Sequence, residues 1–249
     1  GSEMCIRDRY QGNNRMEMQR DEVLQEGYAA AFEQLITYIE ALLPSREVID
    51  GALRRTIRTY PTLALRETIG NALIHQDFSL TGTGPVVEIF ANRMEVTNPG
   101  TLLVDRLRII DNPPKSRNER LASLMRRMNL CEELGTGWDK IVLTSEAAHL
   151  PAPKIELFEE NTRVTLYAET PFNQLSAEDR LWACYLHACI QQTQHEQLTN
   201  HSLRTRFSLP DSSAGSISRL IKEAIQKKLI KPLDPDTAPR YMKYIPIWA

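Results

Sequence analysis

The sequence has almost no surplus charge. Its 30 Lys+Arg stand against 32 Asp+Glu, a formal net charge of -2. That excludes a polybasic chain coating nucleic acid and an acidic solvating tail, and leaves room for a local basic patch. No apolar run of about 18 residues occurs, so no membrane-spanning helix is expected. No secretory signal opens the chain. Its 4 cysteines (Cys5, Cys131, Cys184, Cys189) form no CxxC pair and no zinc-ligand spacing, so free thiols in a reducing cytoplasm are expected. There is no GxxxxGK[ST] loop, which excludes a P-loop motor and helicase action by this chain alone. No internal repeat or low-complexity tract is present.

What is there is ordinary globular material. At 249 residues, 42% hydrophobic and 25% charged, the chain can bury a core in each of two domains. Residues 1–20 read as a tag or disordered leader. Gly1-Ser2 resembles a cloning scar, and Met4 to Arg9 lack periodicity and resemble translated adapter sequence. Apolar spacing predicts helices from Asp21 to Leu43, Thr62 to His75 and Arg120 to Met128, and one opened by Gly135-Thr136-Gly137 and running through Ala148. Val86 to Phe90 and Met94 to Thr97 read as a hairpin, and Ile155 to Phe158 with Arg163 to Ala168 as a second strand pair. Residues 101–119 suit a loop or lid. Helices mixed with antiparallel pairs predict an α+β domain over 21–170.

The composition shifts at Thr170-Pro171. Three helices (177–192, 200–207, 213–228) followed by two strands, near Leu229 to Leu233 and Tyr241 to Ile247, predict a second domain over 174–249 in the order of a winged helix-turn-helix. Residues 1–170 hold 20 basic and 25 acidic side chains and residues 171–249 hold 10 and 7, so the second domain is the mildly basic one.

Glu67 and Asn71, four apart, share one face of the second helix. An amide oxygen there can ligate Mg²⁺, and a carboxylate can orient and deprotonate water. Asn98-Pro99-Gly100 directly follows a strand, and Gly135-Thr136-Gly137 opens a helix. Glycine lets a backbone approach a phosphate, and helix N-termini favour anions.

This order of motifs resembles the GHKL-type ATP-binding fold of gyrase, histidine kinases and MutL. It is most similar to the branch of RecG-like, ATP-dependent helicase-related transcriptional regulators. The resemblance is carried by Tyr60-Pro61, Leu65-Arg66-Glu67 and Asn71 to Ser79, then Val87 to Phe90 and Arg93 to Gly100. Ser116-Arg117-Asn118 and Glu133 to Gly137 complete it. It covers roughly residues 25–170 and implies an α/β sandwich. It implies ATP and Mg²⁺ as ligands. Glu67 becomes the general base, Asn71 the metal ligand, and Asn98 the acceptor for the adenine amino group. Gly100 gives the ligand close access, Gly135, Thr136 and Gly137 line the phosphates, and Thr165 backs the adenine pocket. Asn98 replaces the usual aspartate, keeping an acceptor oxygen and losing the charge. His75 reads as a helix-end histidine, with an acid/base or phosphate role as the alternative. Arg117 reads as a phosphate contact or a solvated lid residue, and Trp138 as core.

In the second domain, Ser216, Arg219, Lys222 and Lys227 lie on the polar side of the expected recognition helix, and Arg240 and Lys243 on the wing. Such residues contact phosphates and base edges. DNA is therefore the expected macromolecular partner, with protein contact or dimerisation as the alternative. The resemblance further implies a homodimer and an AlbA- or Schlafen-like domain upstream. Three functions fit: an ATP-responsive DNA-binding regulator, an ATPase serving defence or DNA processing, and a scaffold with a degenerate pocket.

Overall fold

The computed structural model describes residues 4–10, 12–16, 18–24, 28–43, 45–50, 53–113, 115–131 and 137–249; for 4–9, 18–24, 28–30, 45–50 and 53–58 it describes the backbone alone. The chain divides into two compact units, Gly1–Thr144 with Pro153–Ala168, and Ser145–Ala152 with Glu169–Ala249.

The first unit runs β1 (Met4–Tyr10), β2 (Met18–Leu24), α1 (Tyr28–Leu42), β3 (Ser45–Asp50), β4 (Leu53–Arg58), α2 (Thr62–His75), β5 (Val86–Ile89), β6 (Arg93–Pro99), α3 (Glu119–Arg127), the start of α4 (Gly137–Ala147), β7 (Lys154–Phe158) and β8 (Asn161–Tyr167). It is a mixed α+β unit. Six strands form one sheet in the order β2-β1-β5-β6-β8-β7. Its pairings are antiparallel except that of β1 with β5. Two expectations change here. The stretch expected as a leader contributes β1, and β2 takes Asp21 to Leu24 from the expected first helix, which starts at Tyr28. Strand pairing with β1 outweighs the helical spacing of Val23 and Leu24.

The two faces of the sheet differ as a period of two requires. Val87, Ile89, Met94, Val96 and Leu166 fall on one face and are buried. Helix α2 packs against β6, and its own buried stripe of Ala64, Leu65, Ile69 and Leu73 has the 3.6-residue period. On the other face, Glu88 and Glu95 are also buried, and each is ion-paired: Arg15 with Glu88 at 2.6 Å, Arg93 with Glu95 at 2.6 Å. Helix α2 stops at His75, and the Asn118 amide donates to the carbonyls of Ile74 and Gln76 at 2.9 and 2.7 Å. Those bonds satisfy acceptors that the end of a helix leaves open.

The second unit runs α5 (Ala177–Thr193), α6 (Asn200–Arg206), α7 (Ala214–Gln226), β9 (Ile230–Pro232) and β10 (Tyr244–Pro246), the last two paired antiparallel. Ser176 caps α5 by accepting from the Asp179 amide at 3.0 Å. Thr199 and Ser202 form a capping box at α6. Helix α7 buries Ile217, Leu220, Ile221 and Ala224, and each fully buried Leu or Ile contributes roughly 1.5–3 kcal/mol. The Trp248 indole donates to the Tyr185 hydroxyl at 3.1 Å, fixing the end of the chain on α5. Residues 145–152, expected in the first domain, belong to this unit. Glu146 lies 2.9 Å from His187 Nδ1 and 3.1 Å from Arg206 Nε, and Arg206 donates to the Leu150 carbonyl at 2.7 Å. Among the described residues, no helix is long and apolar enough to cross a membrane.

Candidate functional site

A cavity of about 190 Å³ opens in the first unit between α2, the apolar face of the sheet, the first turn of α4 and the segment 101–116. Its chemistry begins with Glu67 and Asn71, which the helical period brings to the same wall. Glu67 is 8% exposed and has no hydrogen bond or ion pair among the described residues. Burial pushes its carboxyl above the ordinary value, and the charges of Lys140 and Arg66 oppose that only in part. Arg66 itself is committed to Glu33, at 2.7 and 2.9 Å.

Gly137 completes the group. A Cβ on it would meet Glu67 Oε2 at 2.7 Å and the Asn71 amide atoms at 3.2 and 3.5 Å. A side chain there would displace the end of Glu67 and press on the Asn71 amide, so glycine keeps both groups against the first turn of α4. The Glu67 carboxylate and the Asn71 amide therefore both lie against the first turn of α4. That donor set fits Mg²⁺, a hard cation that takes few protein oxygens and keeps other positions for water or phosphate. Gly135 and Thr136 lie outside the described residues.

Asn98 lines the cavity from β6 and is 6% exposed. Its amide nitrogen donates to the Pro99 carbonyl at 3.2 Å, which leaves the side-chain oxygen as its acceptor. Gly100 is not at the cavity wall. Its φ is +117°, and an added Cβ would lie 3.1 Å from the His75 carbonyl. The glycine is needed for the chain to pass the end of α2, where the Asp77 amide donates to the Pro99 carbonyl at 2.8 Å. Ligand access through Gly100 is thus replaced by backbone packing.

Thr165 is buried away from the cavity. It stands opposite Glu95, on the ion-paired face of the sheet. Thr162 and Val164 line the cavity instead. Thr162 stands opposite Asn98, and its hydroxyl donates to the Gly100 carbonyl at 2.6 Å. Counting by twos along β8 from the position facing Asn98 finds Thr162 and Val164 and passes over Thr165.

Arg117 is tied to Asp77 at 3.1 Å and to the Thr101 carbonyl at 2.8 Å, so it holds the segment after β6 against the end of α2. His75 lines the cavity, and burial together with Arg117 pulls its pKa below the ordinary value. Burial thus opposes the charged ring that the end of a helix would favour. Cys131 also lines the wall; burial, then the Glu67 charge, pushes its thiol up, which makes it a poor nucleophile. Lys115, Ser116, Arg126 and Trp138 line the cavity as well. Sequence reasoning gave Trp138 to the core and gave the other three no role.

In the second unit, Ser216, Arg219 and Lys222 are exposed on successive turns of α7, opposite its buried stripe, and Lys227 is exposed at its end. Arg240 and Lys243 are exposed between β9 and β10, and Lys243 donates to Gln197 at 3.1 Å. A Ser-His-Glu trio also occurs here: His187 Nε2 lies 3.1 Å from Ser202 Oγ, and Nδ1 faces Glu146. The spacing is that of an activated nucleophile. Ser202 Oγ, however, accepts from the Thr199 amide at 3.0 Å and donates to its carbonyl at 3.2 Å, so the hydroxyl is held by the helix cap.

Residues 82–166 match the family model described as "Putative ATP-dependent DNA helicase recG C-terminal". No curated protein matches the chain. The crystal structure of the DIP2311 protein from Corynebacterium diphtheriae is similar in fold, with a TM-score of 0.61 at 18% identity, covering 98% of this chain and 51% of that one. The chain thus spans about half the length of that protein.

Proposed function

We propose that the first unit binds ATP with Mg²⁺ and that the second unit is a winged helix that binds DNA under the control of that nucleotide. The observation that carries the nucleotide reading is the convergence of Glu67, Asn71 and Gly137 at one cavity wall. Asn71 holds the metal through its amide oxygen, and Gly137 brings a helix N-terminus to the phosphates. Mg²⁺, when bound, supplies charge neutralisation for the phosphate oxygens. Asn98 accepts from the adenine amino group through the oxygen its own bond to Pro99 leaves open. The family match over 82–166 supports the same reading.

The lack of any pairing at Glu67 among the described residues favours hydrolysis as a second reading. A carboxylate with a raised pKa is a stronger base once ionised, and it is free to take a proton from water. Calorimetric titration with ATP·Mg²⁺ followed by a phosphate-release assay separates the readings. Binding without turnover supports the regulator. Turnover abolished by Glu67→Ala supports the enzyme. Absence of ATP binding overturns both.

DNA binding rests on the exposed stripe of Ser216, Arg219 and Lys222 on α7. It is tested by fluorescence anisotropy with duplex DNA at two salt concentrations, with and without ATP. Affinity should fall with salt and with Arg219→Ala and Lys222→Ala. Affinity independent of salt and of both variants overturns it.

A further inference from the structure

Four residues that line the cavity, Lys115, Ser116, Arg126 and Trp138, carry hydrogen-bond donors. The Trp138 indole is 8% exposed, and its Nε1–H has no acceptor among the described residues. Ser116 Oγ is buried and likewise without a partner. Buried polar groups are nearly always satisfied, and these two unpaired atoms belong to residues that line the cavity. Lys115 and Arg126 line the same cavity, and neither has a carboxylate partner among the described residues. The one bond Arg126 makes is a long 3.4 Å contact from Nε to the Ala122 carbonyl. Indole, ammonium and guanidinium groups donate and never accept. Against these two cations, Glu67 is the one carboxylate among the described residues that line the cavity.

We propose that Lys115, Ser116, Arg126 and Trp138 form a phosphate-binding wall, with Lys115 and Arg126 supplying the charge and the buried donors of Ser116 and Trp138 turning to phosphate oxygens when the ligand binds. A ligand with several acceptor oxygens and negative charge is the chemistry that four donors and two cations select. The proposal rests on the nucleotide reading of the cavity and adds side chains to the backbone contacts expected near Gly137. Trp138 is then a ligand contact as well as part of the core.

The test is calorimetric titration of the full chain with adenosine, ATP and inorganic tripolyphosphate. It compares the wild type with Ser116→Ala, Arg126→Gln and Trp138→Phe. Melting of each ligand-free variant reports whether it folds, and Ser116→Ala keeps the test valid where Trp138→Phe does not fold. Each substitution should weaken ATP about tenfold, the size of one charge-assisted hydrogen bond, and leave adenosine within about twofold. ATP should also change the tryptophan emission of the wild type and leave that of Trp138→Phe unchanged. Equal weakening of ATP and adenosine, or none, overturns the wall and leaves the nucleotide cavity standing. Tripolyphosphate binding that the substitutions weaken, with no response to adenosine or ATP, keeps the wall and overturns the nucleotide reading. No binding of any of the three overturns both.

Discussion

Glu67 in the first unit and Glu146 in the second both lie on helices, and both are largely shielded from water. Their surroundings differ. Glu146 is met by His187 at 2.9 Å and by Arg206 at 3.1 Å, and Arg206 is anchored in turn on Leu150. Glu67 is met by no partner among the described residues and borders a cavity. A buried charge costs several kcal/mol unless it is paired, so the paired glutamate reads as structure. The unpaired one lowers stability where it sits, and it is the group to which the proposed chemistry gives a role.

If that contrast holds, the two glutamates respond oppositely to the same substitution. Glu146→Gln leaves Arg206 buried and uncompensated, and should destabilise the second unit by about 3–5 kcal/mol in urea unfolding. A loss below about 1 kcal/mol would show that the clamp is ornamental. Glu67→Gln should leave ATP affinity within a few-fold of the wild type while any phosphate release drops by roughly a hundredfold or more. Turnover that survives the substitution removes Glu67 from the role of base.

Gly100→Ala tests the packing role assigned to that glycine. Its positive φ and the approach to the His75 carbonyl should cost about 1–3 kcal/mol of stability, read by thermal unfolding without ligand. A variant that melts normally and loses ATP would restore Gly100 to the ligand.

The smallest effect concerns pH. Asp139, in the first turn of α4, is pushed up to about 6 by burial, with its own backbone amide opposing and Asp111 adding. Glu67 is raised too. A carboxyl whose folded pKa is raised holds its proton more tightly in the folded state. Its penalty is therefore absent below the ordinary carboxylate pKa and fully developed above the raised value. For Asp139 the window is from about 4 to about 6. Asp139→Asn should raise stability by up to about 1 kcal/mol at pH 7, allowing for its contact with solvent, and by nothing near pH 3.5. An unchanged melting profile across that window would place the carboxyl in water.

Much of this was legible from residue spacing. Helix α2 runs from Thr62 to His75 as its apolar period and Tyr60-Pro61 indicate, and the same period puts Glu67 and Asn71 on one wall. The helices of the second unit keep within two residues of the bounds their apolar spacing indicates. Positions set by non-local pairing were not legible. The fate of Met4 to Leu24 depends on pairing with β5, far along the chain. Thr165 was misplaced because one step along a strand reverses the face, and resemblance gives the strand more readily than the register. Ser116, Arg126 and Trp138 carry no spacing signal at all; only folding brings the segment after β6 and two helices to one cavity.

One titration bears on the whole contrast: ATP·Mg²⁺ into the full chain, wild type against Gly137→Ala. The added methyl would enter the space of Glu67 Oε2, the end of a flexible side chain, so the ligand-free fold should melt unchanged. The wild type should show saturable binding of one nucleotide per chain, weakened at least tenfold in the variant. A wild type that binds no nucleotide, or a variant that binds as the wild type does, would contradict the placement of the nucleotide between α2 and α4.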